Sequence, residues 1–452
     1  MDETLLSVGL DVGTTSTQLI VSQLTISNRA SAFTVPEMEI ADRKILYRSP
    51  IHFTPLLEGN LVDGDKIRVL VEQEYQNAGF SRQDVDTGAV IITGETSRKE
   101  NAKAVLDALS ECAGDFVVAT AGPDLESVLA ARGAGATAYS QQTGKRVFHM
   151  DIGGGTANLA LIEDGKIICT DCLNVGGRLI KCTETGRITY ISPVLDGLCR
   201  FSAGDTVTEN DLMPVAQMLT EALEMAAGLR PATELLTRLR TAELGHSQGC
   251  RVENAVISFS GGVADCIETS HPPFAFGDMG PILGRAIRQS RLCQQEYRLG
   301  GETIRATVIG AGCHSAQLSG STVFLQNVVL PLKNRPVVAV SEDELTVQGI
   351  RQRLAGQDTL SVLALPGLSH PSYNQIKAIA AILAETVPDP ILVCVEQDMA
   401  KALGQAMALC RDPDAGILCI DRVRLKNGDY LDVGNPIGPA LPVVVKTLIL
   451  EK

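Results

Sequence analysis

Two stretches of the chain repeat one pattern: an apolar run, then Asp-x-Gly, then small or hydroxyl residues, then a second apolar run. The first reads Asp11-Val-Gly-Thr-Thr-Ser-Thr17, within LLSVGLDVGTTSTQLIVSQL. The second reads Asp151-Ile-Gly-Gly-Gly-Thr-Ala157, within HMDIGGGTANLALIEDGK. Glycine between strands gives up packing and costs backbone entropy, so it points to a place where bare backbone is needed. Such a turn gathers several N–H groups into one concavity, which suits anionic oxygens. The candidates are Gly13, Thr14, Thr15 and Ser16 in the first turn, and Gly153, Gly154, Gly155 and Thr156 in the second. The glycines let an anion approach, and the hydroxyls add donors. A branched side chain at Gly154 is expected to fill the concavity.

Asp11 and Asp151 stand where the strands end. From there they can hold a hydrated Mg2+, which takes oxygen ligands and keeps several waters. Two such hairpins facing each other would grip a polyphosphate from both sides. One copy alone would be an ordinary turn; two copies in matching contexts point to a nucleotide. No G-x-x-x-x-G-K-[ST] run occurs and neither hairpin opens a helix, which excludes a P-loop. Gly133-Ala-Gly135 and Gly310-Ala-Gly312 imitate a dinucleotide fingerprint. The first follows a predicted helix, and the second lacks the acidic residue of a βαβ unit. Both read as helices kept thin so that two segments can cross closely.

The formal charge of −14 argues against affinity for nucleic acid or an anionic membrane, and the absence of Trp argues against a base-stacking surface. The acidic start, MDETLLSVGL, lacks the basic region of a signal peptide, and no apolar run reaches the ~18 residues of a membrane span. Twelve cysteines scattered over 452 residues read as reduced thiols of a cytosolic protein. Cys169 and Cys172 have CxxC spacing, but no second CxxC completes a zinc site, so they read as buried strand cysteines. His149 and His314 read as satisfied structural histidines.

The order of elements is α/β. Residues 5–10 and 17–23 form a hairpin, and 63–79 form a helix capped by Asp63 and stopped by Gly79. A strand over 89–95, a helix over 97–114, a strand over 115–122 and a helix over 123–141 follow. Three strands across 146–172 turn at Asp164-Gly165. Residues 209–245 read as mostly helical, and 254–262 as a strand entering a Gly-Gly turn. Beyond about residue 330, strands alternate with helices at 341–356, 370–386 and 399–411. A hairpin turning at Asn427-Gly428 follows, then the apolar PVVVKTLIL, which must pair or be covered. The expected divisions are 1–145, 146–330 and 331–452.

The order of motifs resembles the actin, sugar-kinase and 70-kDa heat-shock ATPase superfamily. GLDVGTTSTQLIV and HMDIGGGTANLALIEDG match its two phosphate hairpins. ESVLAARGAG and TVIGAGCHSAQL resemble its two connecting helices, and VISFSGGVAD its adenosine turn. The resemblance implies a two-lobed, actin-like (ribonuclease H-like) ATPase fold with an additional C-terminal α/β region. It implies ATP and Mg2+ as cofactors, with Asp11 and Asp151 at the metal and Gly261 and Gly262 beside the nucleoside. Chaperone-like members carry an acidic residue nine positions before the glycine of the first connecting helix. Glu126 stands nine before Gly135, which implies a water-orienting role; a helix-start residue favoured by the dipole is the other reading. The lysine that assists hydrolysis in heat-shock ATPases has no counterpart here, so slow turnover is expected.

Within the superfamily the chain resembles the bacterial reactivating factors of ethanolamine ammonia-lyase, over nearly its whole length, including ITGETSRKENA and LDVGNPIGPALPVVVKTLIL. That resemblance implies an ATP-dependent chaperone with ethanolamine ammonia-lyase as partner. It would release damaged cobalamin, the lyase's own cofactor, so that intact adenosylcobalamin binds. The expected setting is ethanolamine breakdown in the cytoplasm, at or within a bacterial microcompartment. A small-molecule kinase of the same fold and an actin-like filament-forming ATPase stay open as alternatives, as does a homo-oligomer.

Overall fold

The computed structural model describes residues 3–13, 16–28, 38–57, 61–93, 117–120, 123–241, 254–314, 317–319, 322–356, 360–368, 370–436 and 440–447. The expected first hairpin is β1 (Glu3–Val12) and β2 (Ser16–Asn28), with Asp11 facing Gln18 and Val12 facing Thr17. β3 (Met38–Arg48) and the short β4 (His52–Phe53) both pair with β2. The helix α1 (Gly64–Ala78) begins at Asp63, whose carboxylate accepts the Lys66 N–H, and stops at Gly79 in the left-handed region. These are the cap and stop expected of that stretch. β5 (Thr87–Ile92) and β6 (Val117–Thr120) extend the sheet in parallel, in the order β3-β2-β1-β5-β6. The helix expected over 97–114 lies outside the described residues.

A single helix over 123–141 is corrected to two, α2 (Pro123–Gly133) and α3 (Ala136–Thr143). Gly135 separates them, with φ at +74°. The chain then repeats the first design. β7 (Val147–Ile152), β8 (Ala157–Glu163) and β9 (Lys166–Leu173) form an antiparallel meander. Its second turn is the expected Asp164-Gly165, both with positive φ. After the ribbon β10 (Ile180–Cys182) and β11 (Ile188–Ile191) come α4 (Glu209–Ala226) and α5 (Glu234–Leu239). β12 (Val256–Ser260) lies parallel to β7; α6 (Asp265–Glu268) and α7 (Gly280–Gln289) lead to β13 (Tyr297–Leu299), parallel to β12. The order β9-β8-β7-β12-β13 is that of the first sheet: three meandering strands, the first of them central, then two parallel ones. The repeat seen in two turns therefore extends to two whole sheets. The fold is α/β, with the paired ribonuclease H-like lobes of the actin-like fold.

The lobes are joined by crossing helices. A β-carbon on Gly133 of α2 would lie 1.8 Å from the Ala306 carbonyl oxygen, at the start of α8 (Ala306–His314), and one on Gly310 would lie 2.1 Å from that of Leu129. One glycine of each pair that imitates a dinucleotide fingerprint thus serves the helix crossing expected of both; Gly312 lies instead against Gly9 and Ile20 of the first sheet, and Gly135 breaks the helix in open space. α8 follows the second lobe in sequence but packs on the first, where Val308, Ile309 and Cys313 close a core with Ile20.

The C-terminal sheet takes β14 (Gln317–Leu318) and β15 (Phe324–Gln326) from residues ahead of 331. It continues with β16 (Leu332–Ala339), α9 (Val347–Leu354), β17 (Val362–Leu365), α10 (Tyr373–Thr386) and β18 (Ile391–Val395). It ends with α11 (Ala400–Ala408), β19 (Ile417–Asp421), β20 (Asp429–Val433) and β21 (Pro442–Thr447). Strands β16 to β19 are parallel neighbours in sequence order, so right-handed crossovers put α9, α10 and α11 on one face. Ile350, Leu383 and Leu403 fill that core. The hairpin expected at Asn427-Gly428 is corrected: the turn closes no strand pair among the described residues. It leads into β20, which pairs with β16 and β21. The apolar last strand is paired on both sides, by β20 and β14, and also lies against β6 of the first lobe. Leu318 packs into the first lobe's Leu5, Leu24 and Ile26.

Candidate functional site

The two repeated turns are closed by the same hydrogen bond. The Gly13 N–H donates to the Ser16 carbonyl at 2.9 Å, and the Gly153 N–H donates to the Thr156 carbonyl at 2.9 Å. In the second turn the Gly153 and Gly154 carbonyls accept from the N–H groups of Gly177 at 3.0 Å and Arg178 at 2.7 Å. Within a trans peptide the C=O and N–H point in opposite directions. The N–H groups of Gly154 and Gly155 therefore face away from the 177–178 segment and are left for an outside acceptor. The first turn is braced at Gly13, whose carbonyl accepts the Thr54 hydroxyl at 2.7 Å. Thr14 and Thr15 lie outside the described residues.

A side chain at Gly154 does not fill the concavity, contrary to the sequence expectation. Its β-carbon would press on the Arg178 side chain at 3.2–3.5 Å, whereas one on Gly155 would meet nothing within 4 Å. Gly261 has its own structural reason. Its φ is +85°, and a β-carbon there would lie 2.3 Å from the Ile152 carbonyl oxygen, so it lets the end of β12 press against the end of β7. Gly262 has room, with the Ile304 side chain 3.8 Å from its β-carbon position. Glu126 is half-buried in the first turn of α2.

Asp11 and Asp151 end β1 and β7, as expected. The Thr93 hydroxyl donates to Asp11 Oδ1 at 2.8 Å. Asp151 is buried; Ser260 donates to its Oδ1 and Thr307 to its Oδ2 at 3.4 Å. Burial pushes the Asp11 carboxyl up to about 7, opposed by the Thr93 hydrogen bond and helped by the nearby charge of Asp151. Burial pushes Asp151 up to about 6, against the hydrogen bonds from Ser260 and Thr307. The charge of Asp151 on the second lobe thus acts on Asp11 on the first. His149 is satisfied at both ring nitrogens and held neutral by burial, at about 3; burial and the nearby Arg43 and Arg132 hold His314 at about 3.

The turns also carry residues that motif reading passed over. Gln18 faces Asp11 and Asn158 faces Asp151 in the two hairpins. Both amides are buried, and Gln18 Oε1 and Asn158 Oδ1 accept no hydrogen bond among the described residues. Each stands at the same offset after its aspartate, a signal that was present in the sequence. Arg178 had no motif to announce it. Its side chain runs beside Gly154, and its Nε holds the buried Asp278 at 3.1 Å. No group of three or more His, Cys, Asp or Glu that could hold a metal occurs among the described residues. Cys172 is buried on β9, while Cys169 is disulfide-bonded, which corrects the reading of uniformly reduced thiols. No described helix is long and apolar enough to cross a membrane.

The raised acids have a stability consequence with a definite sign. Between the ordinary 3.8 and the folded values of about 7 and about 6, the folded chain holds protons that the unfolded chain has lost. Their contribution to stability therefore falls as pH rises through that window. Without divalent cations, Asp11→Asn is expected to flatten the fall in melting temperature between about pH 4 and pH 7. Thermal melts of both proteins check this; parallel profiles contradict it.

The family model for ethanolamine utilisation protein EutA matches residues 3–451. The chain is 40% identical over 472 residues to the ethanolamine ammonia-lyase reactivase EutA of Salmonella typhimurium, covering 98% of each. It is 40% identical over 470 residues to the reactivase of the same name from Escherichia coli, again covering 98% of each. Among solved structures, ethanolamine utilization protein EutJ from Carboxydothermus hydrogenoformans is 17% identical with a TM-score of 0.35, covering 68% of this chain and 88% of that one. An Aquifex aeolicus Ppx/GppA enzyme is 12% identical with a TM-score of 0.42, covering 68% and 99%. A family match across almost every residue, with two relatives matched end to end, settles the kinship: the chain belongs to the ethanolamine utilisation protein EutA family.

Proposed function

We propose that the chain is a Mg2+-dependent ATPase that reactivates ethanolamine ammonia-lyase, the activity for which its relatives are named. One observation carries the ATPase reading. The carbonyls of Gly153 and Gly154 are tied down on one side, which turns the Gly154 and Gly155 N–H groups outward at the end of β7, in a turn that has a twin at the end of β1. On this reading the phosphates lie on Gly13 to Ser16 and on Gly153 to Thr156. The nucleoside rests at Gly261 and Gly262.

The residues present fit a hydrated cation. Asp11 and Asp151 supply two carboxylates, and the buried amide oxygens of Gln18 and Asn158, without a partner among the described residues, can take hydrogen bonds from metal-bound water. When bound, Mg2+ neutralises phosphate charge as ATP is cleaved. Arg178 offers a nearby cation at the second turn. Glu126 orients the attacking water. The lobes at about 1–145 and 146–330 close on nucleotide and open after hydrolysis, a two-state element whose states can differ in affinity for a partner. The region from about 331 contributes partner recognition or lobe coupling. The cycle releases damaged cobalamin from the lyase so that intact adenosylcobalamin binds, in ethanolamine catabolism at a bacterial microcompartment.

The direct test is recovery of activity by an inactivated lyase supplied with the protein, Mg2+-ATP and free adenosylcobalamin; no recovery above the ATP-free control sinks the reading. For the site, Gly155→Val is expected to abolish ATP binding while the chain stays folded, because its side chain enters open space before the outward N–H groups. Calorimetry with unchanged affinity counts against the turn. Glu126→Gln is expected to keep ATP binding and slow hydrolysis about a hundredfold. Unchanged single-turnover rates would reduce Glu126 to a helix-start residue.

A further inference from the structure

We propose that His149 is a positioning residue for Asp151, acting through the Ser260 hydroxyl; this rests on the reading of Asp151 as a ligand of the nucleotide's cation. His149 and Asp151 alternate on one face of β7, and Ser258 and Ser260 alternate on the matching face of β12, each in register with its partner across the strands. The four side chains form one buried line. Ser258 Oγ lies 3.1 Å from His149 Nδ1, Ser260 Oγ lies 3.0 Å from His149 Nε2, and Ser260 donates to Asp151 Oδ1. All three residues other than Asp151 are 0% exposed, so no water competes for these bonds.

Counting protons fixes their direction. A serine hydroxyl has one hydrogen to give. Ser260 gives it to Asp151, so it must accept from His149, and Nε2 carries the ring proton. Nδ1 is then bare and accepts from Ser258. The opposite tautomer would draw the Ser260 hydrogen toward the ring and leave Asp151 Oδ1 without its donor. The tautomer and the Ser260 hydrogen are thus linked: Nε2–H leaves Ser260 free to aim the carboxylate, and Ser258 completes the line by donating to Nδ1. The same line ends beside Gly261, whose N–H donates to the Thr303 carbonyl at 3.1 Å, and at Thr307 on α8, which holds the other Asp151 oxygen. The aim of Asp151 is therefore set by both the nucleoside turn and the connecting helix.

The test begins without nucleotide. Nitrogen NMR of histidine-labelled protein, with His149 assigned by the signal missing from His149→Gln, is expected to show the Nε2-protonated tautomer; the Nδ1-protonated form overturns the proposal. Calorimetry then separates ATP binding with Mg2+ from ATP binding without it. His149→Met and Ser260→Ala should each weaken only the Mg2+-dependent part, by about tenfold to a hundredfold, the usual cost of losing a partner behind a metal ligand. The double variant should be no worse than either single one, because both break the same line. His149→Gln, whose amide can donate where Nε2 did, should recover most of the loss. Ser260→Ala removes a single hydroxyl, so it keeps the test open if His149→Met fails to fold. Additive losses, or Ser260→Ala with unchanged Mg2+ dependence, overturn the proposal. A wild-type chain that shows the expected tautomer but binds no ATP sinks the nucleotide reading instead, and the positioning role with it.

Discussion

Asp151→Asn is expected to lower Mg2+-dependent ATP turnover by about a hundredfold or more while making the metal-free protein more stable at neutral pH. The two effects have one cause. Burial raises the Asp151 carboxyl to about 6, so at pH 7 the folded chain holds a buried charge that it pays to keep. An asparagine of the same shape carries no charge, and its oxygen can still accept from Ser260. It lacks the charge to attract a cation. Asp11→Asn should behave alike, since burial and the neighbouring Asp151 raise its carboxyl to about 7. A residue kept only for packing would show the opposite pairing, with stability lost and turnover following it down. Melting curves with and without Mg2+, beside turnover measured across Mg2+ concentrations, distinguish the two. Normal turnover with unchanged Mg2+ dependence in both variants would remove these aspartates from the metal site.

Gly133→Ala is expected to cost about 3 kcal/mol or more of stability, a large effect for one methyl group. The added carbon would lie 1.8 Å from the Ala306 carbonyl oxygen. That neighbour is backbone, and no rotamer change can relieve the clash. α2 and α8 would have to move apart, and with them the junction between the lobes. Turnover should fall together with stability. Gly135→Ala is the matched control. Its φ of +74° makes alanine unfavourable, but nothing lies within 4 Å of the new carbon, so a loss of about 1 kcal/mol is expected. Urea melts of the two variants check the comparison. Equal midpoints would mean that the helices do not cross through Gly133.

Much of this molecule was legible before any coordinates. Continuous apolar runs on either side of each turn placed β1, β2, β7 and β8, and Asp63 and Gly79 bounded α1, because apolar runs, turns and helix caps are set by residues close in sequence. The repeated Asp-x-Gly turns announced a twofold design, which the two sheets carry through in full. The small residues of α2 and α8 announced a crossing. Other features waited for tertiary structure. Which face of the second turn offers its N–H groups depends on Gly177 and Arg178, more than twenty residues away. That Gly155 and not Gly154 faces open space follows from the same contact. The sequence had β21 closing its own sheet or docking on the first lobe; the structure has it paired with β20 and β14 while resting against β6. Asn427-Gly428 read as a hairpin because its local chemistry is that of one, yet β20 pairs with β16 and β21, each beyond a longer connection. His149 read correctly as a satisfied histidine, but its partners Ser258 and Ser260 lie on a strand more than a hundred residues on. Local chemistry determines which element a segment forms. Which elements then meet is decided by packing that offsets the entropy of closing long loops, and only that meeting aims a side chain or a peptide N–H at a site.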